Sequence, residues 1–261
     1  MFRTAFAVMA AAIMATGSGA TGSGATGSGA TGADDGYRKA QAVPAAGGSV
    51  QILEDARLTP ALARRLWRSG VDPVSVLGED NPAAQPFKTE PLRPARLRQV
   101  NAAGAVILDI ALAKAAPIAR IEARRLGRPS DPVYLVTTDD DAGFGSYSGR
   151  ATRLYASEGA RLQPVSASDG AGQTEAIVLI DTLKSGWKIV DARPNHTVIH
   201  QLLCRPDPET RTSSPGVTFL LSYITYESDG RTWRMAEHVS PGFWESDQAW
   251  PAADRFPSVR P

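Results

Sequence analysis

The chain has 261 residues, 43% of them hydrophobic, a formal net charge of +1, 24 glycines, 19 prolines and one cysteine. That composition is ordinary for a globular protein and gives enough length for one large or two small domains. The lone Cys204 excludes an internal disulfide, so the fold must rely on its own core.

The first residues read as an address. Arg3 supplies a positive start, an apolar run follows from Ala5 to Ala15, and the unit Ala-Thr-Gly-Ser-Gly then repeats towards Asp34. Charge, a short apolar core and small residues, in that order, predict a secretory signal peptide. The run is shorter than the roughly 20 apolar residues that a membrane span needs. Cleavage is expected after Ala15, with Ile13 at −3, or after Ala20, Ala25 or Ala30, each with a serine at −3. The Gly/Ser repeat carries no large apolar side chain with which to offset the entropy of ordering it. The expectation is an exported protein, periplasmic or secreted, with 1–33 as leader and repeat and no later transmembrane segment.

Residues 34–95 are expected to form a helix followed by a Pro-rich extended segment. Thr59 is placed to cap a helix running to Ser69, with Pro60 at its first position and Gly70 as its stop. Leu62, Leu66 and Trp67 would dock it, and Arg64, Arg65 and Arg68 suit its C-terminal half. Prolines 73, 82, 86, 91 and 94 forbid a long helix and disfavour central strands, which predicts an extended connector.

Charge is uneven across these parts. Residues 57–128 hold 13 basic and 6 acidic side chains, and 129–261 hold 12 and 17. Arginine suits carboxylates and phosphates. The Arg-rich stretch therefore either faces a polyanion, such as lipid headgroups or acidic glycans, or packs against the acidic half of its own molecule. Nucleic acid is not expected, because no nucleic-acid-binding motif appears.

Residues 96–261 read as a mainly β domain. Ala105–Leu112 is an apolar run, and Ile118–Arg125 alternates, with helix as the alternative. Val133–Thr138 is a short strand. Arg150–Ala156 and Arg161–Ala167 would pair across Glu158-Gly159. Ala176–Ile180 and Trp187–Val190 flank Lys184-Ser185-Gly186, and Thr197–Cys204 is a further strand. Val217–Glu227 and Arg231–Val239 flank Asp229-Gly230, a pair that favours a two-residue turn. That register sets Tyr226 opposite Trp233 and Ile224 opposite Met235 on one apolar face. The fold class expected is mainly β, or α+β: an antiparallel sandwich or partly closed barrel with one short N-terminal helix.

The chemical motifs are sparse. His196, His200 and Cys204 are spaced by four. In a helix they would be about 6 Å apart and could share a metal. In a strand, four residues span about 13 Å, too far for one ion. The run Val198–Leu203 is strand-like, so no metal site and no cofactor are assigned. Asp139, Asp140 and Asp141 precede glycines 143, 145 and 149. The helix–loop–helix calcium pattern fails there, because its fifth and twelfth positions hold Gly143 and Arg150. A polar loop between strands is a reasonable ligand contact, which makes Asp139 and Asp141 candidates. Gly145-Ser146-Tyr147-Ser148-Gly149 does not fit the nucleophile elbow, since its centre is Tyr147. The tail packs Phe243, Trp244, Trp250 and Phe256 among prolines and acids. Trp244 and Trp250 could stack on sugar rings or hold a Pro-rich peptide, or could staple the tail to the sheet.

The functional expectation is an exported binding or structural protein of a bacterial envelope, its partner an unidentified envelope ligand or protein. The alternative is an exported hydrolase using His196, His200 or His238 with a nearby acid or serine.

Overall fold

A computed structural model describes residues 36–70, 72–112, 116–127, 132–140, 147–209 and 218–259. The predicted leader and its cleavage positions lie outside the described residues, as do Asp141, Gly143, Gly145 and Ser146.

The alternation Val50, Ile52 and the Gly47-Gly48 pair build a hairpin that the sequence reading did not include. Strands β1 (Tyr37–Ala45) and β2 (Gly48–Asp55) meet at a two-residue turn, with Ala45 opposite Gly48 and Gly47 at φ +69°. The hairpin extends into β3 (Arg96–Asn101) and β4 (Val106–Ala111) as an antiparallel four-stranded sheet ordered β1-β2-β3-β4. This sheet therefore takes two strands from before the Pro-rich segment and two from after it.

Helix α1 (Pro60–Ser69) forms where expected. The Thr59 side chain accepts from the Leu62 N–H, Pro60 opens the first turn, and Gly70 closes the helix in the left-handed conformation at φ 64°. The expected extended connector is instead three short helical pieces: α2 (Pro73–Leu77), a 3-10 turn (Pro82–Ala84) and α3 (Gln85–Thr89). Each carries proline in its first turn, where the missing N–H has no helical partner to lose. Asp72 and Asn81 cap two of them. The prolines thus limit helix length and also start the helices. Leu58, Leu62, Ala63, Leu66 and Ile118 form a small core beneath α1, with Trp67, Phe87 and Leu92 at its edge.

The remaining strands are β5 (Ala119–Arg124), β6 (Val133–Asp140), β7 (Gly149–Glu158), β8 (Arg161–Pro164), β9 (Ser166–Ser168), β10 (Thr174–Ala176), β11 (Val178–Thr182), β12 (Ser185–Arg193), β13 (His196–Pro206), β14 (Phe219–Ser228) and β15 (Trp233–Pro241). They form one large sheet ordered β10-β9-β15-β14-β13-β12-β11-β7-β6-β5, with β8 added to β7. Its neighbours pair antiparallel except β15 with β9. The alternating segment 118–125 forms strand over Ala119–Arg124, not helix.

The fold is mainly β and sandwich-like, and its sheets do not close into a barrel. Val50, Ile52, Leu97 and Leu108 of the small sheet pack against Ala119, Ile121, Tyr134, Val136 and Tyr155 of the large one. Gln41 seals this interface by accepting from the Ile121 N–H at 2.9 Å. On the opposite face, Leu135, Leu154, Leu179, Ile199, Ile224 and Tyr226 make a second core.

The last hairpin forms with a different register. Ser228 lies opposite Trp233, Tyr226 opposite Met235 and Ile224 opposite Glu237. The loop is residues 229–232, because the Asp229 carboxylate accepts from the N–H groups of Arg231 and Thr232, both at 2.8 Å. A slip of two residues changes each pair and keeps each side chain on its face.

Candidate functional site

Three adjacent strands carry a row of alternating charge. Asp139 on β6 pairs with Arg150 on β7, and Arg150 pairs with Asp181 on β11. Residues directly opposite in an antiparallel ladder project to the same face. The C-terminal end of α1 lies over that row. Arg150 donates to the Trp67 carbonyl at 2.8 Å, and its guanidinium sits 4.4 Å from the Trp67 ring centroid. Arg120 lies 4.8 Å from the same ring and is held by Glu54 at 3.2 Å. Glu54, 0% exposed, also binds Arg38 at 2.5 Å. A continuous set of charged and aromatic contacts thus runs from β2 through β5 and α1 to β7.

Between α1 and the row opens a cleft of about 810 Å³. Leu66, Trp67, Phe87, Pro91, Leu92 and Ile118 form apolar walls, and Arg68, Asp72, Asp139, Ser148, Arg150 and Asp181 supply the polar groups. Its volume falls within the roughly 300–1,000 Å³ of small-molecule sites, and its mixture of apolar wall and convergent polar groups has the same character. Burial raises the pKa of Asp181, and the positive charge of Arg150 offsets part of that rise. Burial likewise raises Glu54 against the pull of Arg38 and Arg120. A second cleft, about 540 Å³, is lined by Glu158, Arg231, Trp233 and several hydroxyl groups.

The residues singled out from sequence fall in separate places. Asp139 lines the first cleft, with Oδ2 3.9 Å from where a Cβ on Gly70 would stand. Trp244 and Trp250 do not line the cleft; they pack over Gly186 at the start of β12. Trp244 is 6% exposed, its indole donates to the Ala249 carbonyl at 3.2 Å, and its ring meets Trp250 edge-on at 5.7 Å. Trp250 stacks on Phe256, which stacks on His200 at 4.0 Å. These rings pack with Leu202, Cys204, Leu221 and Tyr223, so much of their surface holds the tail to the sheet.

The histidines do not gather. His196, His200 and Cys204 all lie on strand β13, which spaces them along its length. His196 approaches Asp191 at 3.4 Å and Glu227 at 3.7 Å, and His238 lies beside the Tyr223 ring. Burial lowers the pKa of His200. Among the described residues, no histidine lines the larger cleft, and no group of three or more His, Cys, Asp or Glu side chains is arranged to hold a metal.

Much of the Arg-rich stretch is engaged within the molecule. Arg57 binds Asp55, Arg96 and Arg98 bind Asp109, Arg120 binds Glu54, Arg124 binds Glu122, and Arg65 donates to the Val76 carbonyl. No helix among the described residues is long and apolar enough to cross a membrane.

Trp67, Arg68, Asp72, Arg150 and Asp181 were not identified as site residues from sequence. The signal that could have found them is the pairing of Asp139 with Arg150, which becomes visible only once the strand register is known. Compared with known protein families, curated proteins and solved structures, the chain matches none.

Proposed function

We propose that this is an exported, non-catalytic binding protein of a bacterial envelope, and that its ligand is a small molecule seated in the cleft between α1 and strands β6, β7 and β11. The observation that carries this reading is the cleft itself, where charged groups of both signs converge opposite an apolar wall. Asp139 belongs to the ligand site in this reading. The hydrolase alternative requires a histidine, an acid and a hydroxyl or thiol within one pocket, and no described feature favours it.

Native mass spectrometry of the protein purified from its own cells tests the proposal. The expected result is a non-covalent adduct of small-molecule mass that disappears in Ser69→Trp, which places a large ring at the exposed C-terminal end of α1 beside the cleft. An adduct that survives in this variant, or no adduct on the native protein, would overturn the reading.

A further inference from the structure

The polar groups of the cleft are unequal in sign. Asp72, Asp139 and Asp181 face Arg68 and Arg150. Arg150 is committed to the protein, through its bond to the Trp67 carbonyl and its position against the Trp67 ring. Arg68 sits exposed at the end of α1. Among the described residues, none donates a hydrogen bond to the Asp181 carboxylate. The C-terminal end of α1, through Ser69 and Gly70, opens onto the same space. That end carries the negative pole of the helix dipole, which favours a cation. The opposite wall offers Phe87, Pro91, Leu92 and Val74, a surface for an apolar stem and not for a second charge.

We propose that the cleft takes a small organic cation, an ammonium or guanidinium group on an apolar stem, with the charged end at Asp181 and the stem along Phe87 and Leu92. This rests on the binding reading above and names its ligand class. Asp181 is exposed to the cleft, and Arg150 offsets only part of the desolvation that raises its pKa, so a bound ammonium supplies positive charge that its surroundings lack. The groups facing Asp181 are Arg150 and Asp139 along the row and Arg68 and Asp72 from the helical side. Acidification through the carboxylate range discharges Asp181, whose pKa is raised, before Asp72, whose pKa is lowered. Cation binding therefore weakens as pH falls.

Three probes of equal stem length test the class: hexylammonium, hexanoate and hexan-1-ol, each titrated while the indole N–H resonance of Trp67 is followed by NMR. Hexylammonium is expected to shift that resonance, to bind at least tenfold more weakly to Asp181→Asn, and to lose affinity to the wild-type protein on acidification. Hexanoate and hexan-1-ol are expected to bind at least tenfold more weakly than the amine. If either binds as tightly as the amine, the cation class falls and the cleft remains a ligand site. If none of the three moves Trp67, the cation class falls as well, and the native adduct decides separately whether the cleft binds anything. Should Asp181→Asn fail to fold, the pH series and the three-probe comparison on the wild-type protein still give the answer.

Discussion

Asp55 shows how one buried carboxylate sets a pH dependence. Its side chain is 2% exposed. Burial alone would raise its pKa, but bonds from the Arg57 side chain and from the backbone N–H groups of Arg57 and Arg93 outweigh that, and the pKa falls to about 2. A carboxyl with a depressed folded-state pKa stabilises the fold above its unfolded pKa and loses that contribution as pH falls through the folded value. Asp55 therefore contributes about 2 kcal/mol at neutral pH, lost between roughly pH 4 and pH 2. Urea unfolding at pH 5 and pH 2.5 should show a larger drop for the wild-type protein than for Asp55→Asn. Equal drops would contradict this assignment. Gly230 supplies a second residue-scale test. It sits at φ +85°, and a Cβ there would stand 3.0 Å from Asn195 Cα and from the Gly127 carbonyl oxygen. Gly230→Val should cost about 1–3 kcal/mol through left-handed strain alone, read as a lowered Tm. An unchanged Tm would remove the strain argument.

At the scale of elements, some segments were legible in the sequence and others were not. Helix α1 carried Thr59, Pro60 and Gly70 at the positions that helix ends require, and it formed as read. The face of the last hairpin was legible because side chains alternate with period two. Its register was not, because the Asp229 side chain makes its own turn and lengthens the loop. The short helices α2 and α3 were hidden because proline reads as a breaker unless its place in the first turn is known. The tail offers a test at this scale. Phe256 stacks on His200 and Trp250 and meets Tyr223 edge-on, so one ring joins the tail to β13 and β14. Phe256→Ala should cost about 3 kcal/mol or more, with faster amide exchange in 244–256 than in β13. Exchange that stays uniform would mean that the tail is held by other contacts.

At the scale of the whole molecule, the layered β architecture followed from many short alternating runs that need a partner layer. The candidate site did not follow, because its walls come from α1, α2, α3 and three strands that are far apart in sequence. Of its acids, Asp139 was singled out from sequence, beside a Gly-rich stretch. Asp181 and Arg150 acquire meaning only when β6, β7 and β11 lie side by side. The same assembly engages much of the Arg-rich stretch within the molecule. Asp109 on β4 receives Arg96 and Arg98, and Glu54 on β2 receives Arg120 together with Arg38.

A crystal structure of the protein purified directly from its own cells, solved without added ligand, tests the central claim most directly. The account predicts density for a small molecule between Trp67, Asp139 and Asp181, with a positively charged group nearest Asp181. A ligand lodged instead against Trp244 and Trp250, or catalytic geometry assembled around His196 with a hydroxyl and an acid, would contradict it.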